Sequence, residues 1–303
     1  MTVTAAEVVI CGAGIAGAAA AYFLAVRHGV TDVVLVDAGP PLSLTSDKSS
    51  EGYRNWWPGP GTAMVDFTNR SIDLMEELDL AFPGRIAMTR RGYVFATSDQ
   101  NTLAQLETQA REVAERGAGE FRVHDSRATG EYEAHTANGW QNKPTGVDVL
   151  RGTDLVQQHF PALSKQTVGL VHARRCGWVS AQQLGALLLE QARAAGARIV
   201  TGELSGVDTS GGKVHGVTVT STGGERTLST PHLLLCPGPY LQRAAHLLNL
   251  ELPVACESHV KVALRDFVSA MPADAPLLCW MDPVTLPWSD EEREALSEDP
   301  RMA

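Results

Sequence analysis

Basic charge is scarce in this chain. Lys and Arg total 25 against 35 Asp and Glu, giving a formal net charge of −10. A nucleic-acid-binding protein needs a clustered basic footprint, and no such cluster is visible. Part of the acid excess is local: Asp290, Glu291, Glu292, Glu294, Glu298 and Asp299 stand close together. Cysteine is sparse as well. Cys11, Cys176, Cys236, Cys256 and Cys279 are odd in number and far apart, with no C-x-x-C pair. Neither these nor the nine His show metal-ligand spacing, so no metal site is expected. Widely spaced cysteines imply buried free thiols in a reducing, cytoplasmic compartment. The sequence also lacks G-x-S-x-G, H-E-x-x-H and a P-loop, which removes three common routes to hydrolysis.

What is present is enough apolar material for a core. Hydrophobic residues make up 44% and charged residues 20% of 303 residues, which excludes wholesale disorder and suggests two domains. One apolar run needs care. Val8 to Val26 carries no charge over nineteen residues, long enough for a membrane span. No basic residue precedes it, so it lacks the start of a signal peptide. It also contains Gly12, Gly14 and Gly17, and it reads as a short strand, a glycine turn and an Ala-rich helix. The run is therefore buried core and not a transmembrane segment.

Val8-Val9-Ile10-Cys11 has the continuous apolar character of a strand buried on both faces. A helix follows from about Ile15 to His28, and Gly29 can end it in a left-handed conformation. Val33 to Val36 is a second buried strand ending at Asp37. Residues 38 to 62 form a long Gly/Pro/Ser-rich loop, of a length that is usually functional. Asp66 to Leu80 and Thr102 to Glu115 read as helices, and Ile86 to Thr97 as strand, turn and strand around Arg91-Gly92. Gly117 to Pro144 is polar and reads as a surface insertion. Ser180 can cap a helix over Ala181 to Ala195. A β-meander follows over Leu204–Asp208, Val214–Thr220 and Arg226–Ser229, then a buried strand, Leu233 to Cys236.

Gly12-Ala13-Gly14-Ile15-Ala16-Gly17 matches G-x-G-x-x-G. Gly12 permits the tight turn, Gly14 lets a pyrophosphate approach the backbone, and Gly17 lets the helix pack on the strand. The amides opening the helix then face the phosphates, with the helix dipole favouring their charge. Strand before, helix after and an acid closing the next strand supply the context that this motif requires. Asp37, followed by Ala38, lies 25 residues after Gly12, and its carboxylate can accept both ribose hydroxyls. No Arg or Lys lies between Asp37 and Lys48, which argues against a 2′-phosphate and hence NADP. The turn alone does not separate FAD from NAD.

Four segments in order carry a more specific resemblance. Gly17-x3-Ala21-x2-Leu24 with Gly29 and Val33 to Asp37 resembles the extended FAD signature. Thr45-Ser46-Asp47-Lys48-Ser49-Ser50-Glu51-Gly52 resembles the Ser/Gly segment beside the flavin in the D-amino-acid oxidase superfamily, which includes glycine and sarcosine oxidases. Gly177-Trp178-Val179-Ser180, and then Leu233 to Tyr240, resemble that superfamily's later motifs. The resemblance implies an α/β fold: a Rossmann-like FAD-binding domain with a β-meander, from 1–80 and 150–250. A second, incomplete α+β substrate domain would come from 81–149 and 251–303. It implies FAD as cofactor and hydride transfer to flavin from the C–N bond of a small amine or amino-acid substrate.

On the matching positions, the resemblance puts Ser46 and Ser49 at the pyrophosphate and ribityl chain, unless they are ordinary turn residues. It puts Leu204 at the adenine through its backbone, and Gly238 where a small residue lets the chain pass the cofactor. Arg54 can clamp a carboxylate, or pair with a surface acid. Trp56 and Trp57 can wall off water or simply pack beneath the loop. Lys48 can stabilise negative charge beside the flavin, or sit in solvent. Arg90-Arg91 and Arg174-Arg175 read as turn and surface charges. Superfamily chains usually continue to a last Gly-rich flavin segment, which is not seen here, and Pro287 to Ala303 is acidic instead. A missing C-terminal segment, or a partner chain completing a non-catalytic FAD-binding subunit, is therefore an open alternative. An NAD-linked dehydrogenase is a third reading, which the meander fits poorly.

Overall fold

The computed structural model describes residues 3–125, 131–135, 138–285 and 287–298. Asp299 lies outside them, as do parts of the polar stretch from Gly117 to Pro144. In chain order the first elements are β1 (Val8–Cys11), α1 (Ile15–Tyr22), β2 (Val33–Asp37), α2 (Thr45–Lys48), β3 (Gly52–Arg54), α3 (Ala63–Ala81), β4 (Tyr93–Thr97), α4 (Gln100–Val113) and β5 (Phe121–His124). Then come β6 (Val147–Arg151), α5 (Thr153–His159), β7 (Gly169–Ala173), β8 (Cys176–Trp178), α6 (Ala181–Ala194) and β9 (Arg198–Thr201). The chain goes on with β10 (Glu203–Ser210), β11 (Lys213–Ser221), β12 (Gly224–Ser229), β13 (His232–Leu235), α7 (Leu241–His246), β14 (Leu277–Trp280) and α8 (Asp290–Ser297). Helix α1 continues into a π-helical turn, Phe23–Arg27, and Gly29 follows at φ +72°.

Two main sheets organise the molecule. The first is parallel, in the order β13-β1-β2-β9. Its central strands β1 and β2 are buried on both faces, which explains their unbroken apolar runs, whereas edge strand β13, expected to be buried, is half-exposed, with Leu234 39% exposed. On one face Val8, Ile10, Val33 and Leu35 pack with Ala18 and Ala21 of α1 and Leu184, Leu187 and Leu188 of α6. On the other, Val9, Cys11, Val34 and Val36 pack against Leu204, Val217, Val219 and Leu228 of the meander β10-β11-β12. Ser180 caps α6 by accepting from the Gln183 amide.

The second sheet is mixed, in the order β14-β4-β7-β6-β5. Helix α4 covers one face through Leu106, Ala110 and Val113. Tyr132, Val156 and Phe160 cover the other. Three expectations need correction here. Ile86 to Thr97 holds one strand instead of two, because Thr89 makes only an isolated bridge to Trp178. The polar stretch after Gly117 is more than a surface insertion: it supplies β5 and the buried Tyr132 and Trp140. Arg90 and Arg174 are not surface charges, being 7% and 4% exposed. Strands β6 and β7 also lie in this sheet.

The buried charges are compensated. Arg90 pairs with Glu76. Asp148, 2% exposed, accepts from Arg122 Nε at 2.6 Å, Arg174 Nη1 at 2.9 Å and His124 Nε2 at 2.9 Å. Burial pushes the Asp148 carboxyl up, but the bonds from Arg122 and His124 and the Arg174 charge outweigh it and hold it below the usual range. Next to it, His172 Nε2 lies 2.9 Å from the Arg91 carbonyl and Nδ1 2.7 Å from the Tyr132 hydroxyl. A carbonyl can only accept, so Nε2 carries the proton and Nδ1 accepts from Tyr132.

Full burial, followed by the Arg174 charge, drives the His172 pKa down. Such a group stabilises the fold above its unfolded pKa, about 6.5, and the contribution is lost as pH falls below that value. Stability to urea should therefore decline from about pH 6.5 downward, by up to about 1.4 kcal/mol per pH unit for this one proton. His172→Gln should flatten that slope, and an unchanged slope in the variant would refute the assignment.

Candidate functional site

The site is built at the C-terminal ends of β1, β2 and β13. Gly12 leaves β1 at φ +101°, and a Cβ there would stand 2.2 Å from the Cys236 carbonyl oxygen. A Cβ on Gly17 would stand 1.9 Å from the Gly12 carbonyl oxygen, so only glycine lets α1 lie this close to the turn. Gly14 differs. A Cβ there would meet only Ser46 Oγ, at 3.3 Å. The turn has closed on the protein at Gly12 and Gly17 and left space at Gly14.

Helix α1 starts at this space with no side-chain cap and no acidic residue in its first turn. Its amino-terminal positive potential is thus left for an anion. The Ile15 amide donates to Ser46 Oγ at 3.0 Å, which brings α2 against the turn. Asp37 faces the same bend: Oδ2 accepts from the Ala13 amide at 2.7 Å and Oδ1 from the Gly39 amide at 2.9 Å. Each carboxylate oxygen keeps accepting capacity beyond these bonds. Ala38 beside it and Ala16 on the helix are exposed, and Gly202 donates to the Asp37 carbonyl at 2.8 Å, placing the start of β10 beside the acid. Leu204 itself is buried between sheet and meander. Gly238, at φ +60°, lies in the turn after β13, where a Cβ would be 3.6 Å from Thr45 Oγ1.

The remaining candidates lie further along the chain. Lys48 is exposed and pairs with Asp47. Ser49 is exposed and its hydroxyl accepts from the Glu51 amide at 2.8 Å. Arg54 is exposed on β3, with its guanidinium carbon 4.3 Å from the Trp57 ring centre. Trp56 is core, 5.1 Å from Phe95 in a stacked pair. Burial pushes the Tyr93 phenol up to about 12, with the Cys176 thiol adding and the Arg54 charge opposing. The structure thus gathers the turn, Asp37, Ser46 and the Gly238 turn, and holds Arg54 on β3 against the Trp57 ring.

Sequence reading missed the contribution of Lys261, whose Nζ donates to the Ser49 carbonyl at 2.7 Å. A lone lysine in an extended stretch gives no signal of its own. Of the five cysteines, Cys11 and Cys176 are buried, Cys236 and Cys279 partly so, and Cys256 is exposed, against the expectation of uniform burial. Burial, with Asp37 next, pushes the Cys11 thiol up to about 12. Among the described residues no helix is long and apolar enough to cross a membrane, and no group of His, Cys, Asp and Glu could hold a metal ion.

The space at Gly14, the uncapped helix start and the inward carboxylate fit a dinucleotide diphosphate and its ribose. L-proline dehydrogenase from P. horikoshii is similar at a TM-score of 0.68 and 13% identity, over 92% of this chain and 65% of that one. Glycine oxidase from Geobacillus kaustophilus gives 0.63 and 20%, over 82% and 60%. L-alpha-glycerophosphate oxidase from Mycoplasma pneumoniae, solved with FAD bound, gives 0.59 and 15%, over 80% and 56%. The chain thus spans between 56% and 65% of the length of these structures. No curated protein matches the sequence. The family model of the FAD dependent oxidoreductases, DAO, matches residues 7–284. The chain belongs to that family, whose cofactor is FAD.

Proposed function

We propose that this chain forms the FAD-holding part of an oxidoreductase acting on the C–N bond of a small amino acid or amine. The observation that carries the reading is Asp37 turned into the glycine bend, bonded to the Ala13 amide beneath an uncapped helix. Glycine oxidase and L-proline dehydrogenase among the similar structures support the substrate class. Flavin, when bound, supplies the hydride acceptor. The amides of Gly14, Ile15 and Ala16 would hold the diphosphate, with Ser46 exchanging its bond to Ile15 for one to a phosphate oxygen. Asp37 would grip the ribose, and the backbone near Leu204 would border the adenine. Arg54, with Trp57 beneath it, would bind a substrate carboxylate, and Lys48 and Ser49 would border the flavin end.

The domain reading also remains a proposal. The first unit would carry the parallel sheet and meander and the second the mixed sheet, with β6 and β7 assigned to the second.

Asp37→Asn removes the charge that orders the bend and accepts the sugar. FAD affinity should fall by about 10- to 100-fold, the worth of a charge-assisted hydrogen bond. Flavin fluorescence titration of the purified chain measures this. A wild-type chain that retains NAD and no flavin would overturn the reading. Bleaching of the flavin bands by one member of an amino-acid and amine panel, under anaerobic conditions, would identify the substrate class.

A further inference from the structure

Residues 251–266 leave α7 without joining a sheet, and their side chains are largely exposed. Two contacts fix the middle of the segment. Cys256 Sγ donates to the Pro239 carbonyl at 3.4 Å, and Lys261 Nζ donates to the Ser49 carbonyl at 2.7 Å. These anchors belong to two sides of one rim. Pro239 follows Gly238 in the turn after β13, and that turn abuts Gly12 through the Cys236 carbonyl. Ser49 directly follows α2, whose Ser46 touches the start of α1. The five Cα–Cα steps from Cys256 to Lys261 reach at most about 18 Å, so the segment must cross the interval between the anchors closely. At its start the segment is held by the Leu252 amide on Gln242, at 3.3 Å. At its end Asp266 accepts from Val268, Ala270 and Met271 and closes a turn.

We infer that Lys261 is a positioning residue of the cofactor site, latching residues 256–261 as a strap that joins the α2 loop to the Gly238 turn. The inference rests on the FAD reading above and adds a residue that the glycine motif does not reach. The ammonium acts through the Ser49 carbonyl: it fixes the loop that carries Ser46 and Ser49. The strap then resists the outward movement that releasing a dinucleotide requires. Because Lys261 and Ser49 are both exposed, the latch is a single solvent-accessible hydrogen bond, and its effect is on rate more than on fold.

The test uses the full 303-residue chain loaded with FAD. Lys261→Met keeps the apolar stem and removes the donor. FAD release, read as recovery of flavin fluorescence after dilution, should quicken by about 3- to 10-fold, with far-UV circular dichroism unchanged. Lys261→Arg should restore slow release. Chymotrypsin cleavage after Leu264 and Phe267 should be slowed by FAD in the wild type and much less in Lys261→Met. Lys261→Gln serves as the second variant should the methionine form aggregate. Release rates equal in wild type and variant overturn the strap and leave the cofactor reading standing. An arginine form as fast as the methionine form overturns the role of the ammonium. A wild-type chain that retains no FAD overturns the cofactor reading and the strap together.

Discussion

Gly12→Ala should abolish tight FAD retention and destabilise the chain, whereas Gly14→Ala should do only the first. At Gly12 the φ of +101° is one that L side chains rarely adopt, and the added methyl would collide with the Cys236 carbonyl, backbone that cannot swing away. Strain and overpacking together cost about 2–5 kcal/mol. The collision also pushes β13 and the Gly238 turn away from the bend. At Gly14 the φ of −71° is ordinary, and the methyl meets only the Ser46 hydroxyl. The fold should absorb it, while the space for a phosphate is lost. Urea unfolding of the flavin-free forms and fluorescence titration with FAD separate the two effects. Equal stability loss in both variants would show that Gly14 is a packing glycine and that the space beside it has no ligand.

Asp148→Asn should be the most damaging single change in the second sheet. The substitution keeps the shape and removes the charge that compensates Arg174, 4% exposed, and the half-buried Arg122. Breaking a buried pair from one side costs about 3–5 kcal/mol, because the surviving cation stays desolvated. The Arg174 guanidinium also donates to the Glu133 carbonyl at 2.9 Å, so loss of its partner should loosen the 131–135 segment that covers this face. Urea unfolding followed by circular dichroism measures the loss, and hydrogen exchange localises it to β5, β6 and β7. A variant within about 1 kcal/mol of wild type would mean that the network is solvated in practice and contributes as surface pairs do.

Local pattern carried the first sheet and little of the second. The stretch from Val8 to Asp37 announces itself because a strand buried on both faces must be apolar throughout, and because a glycine turn has fixed spacing. The meander and α6 were legible for similar reasons: Gly-Gly turns and a Ser cap are short-range signals. Strands β6 and β7 were not, since Asp148 and His172 interrupt their apolar runs. Their neutralising partners, Arg122, Arg174 and Tyr132, come from separate parts of the chain, and no window of sequence contains them together. Arg90 and Arg174 looked like surface charges for the same reason: a buried arginine is indistinguishable from a solvated one until its acid is located. Of the site, Gly12 to Gly17 and Asp37 could be named from sequence because strand order makes them neighbours. Lys261 could not, because its contact is to a backbone carbonyl, which has no sequence signature.

Strands β3 and β8 pair antiparallel as a short two-stranded ribbon, which has a consequence for anyone recombining this protein. Tyr53 donates to the Thr89 carbonyl at 2.7 Å, Thr89 and Trp178 exchange backbone bonds, and the Val179 amide donates to the Glu51 carbonyl at 3.1 Å. Three stretches distant in the chain are thus knotted together. A chimera that swaps the mixed sheet for a relative's would sever this knot unless residues 51–54, 89 and 176–179 travel with the graft. The natural module for transplanting the mixed sheet is therefore the sheet together with its stitching, and crossover points belong outside it.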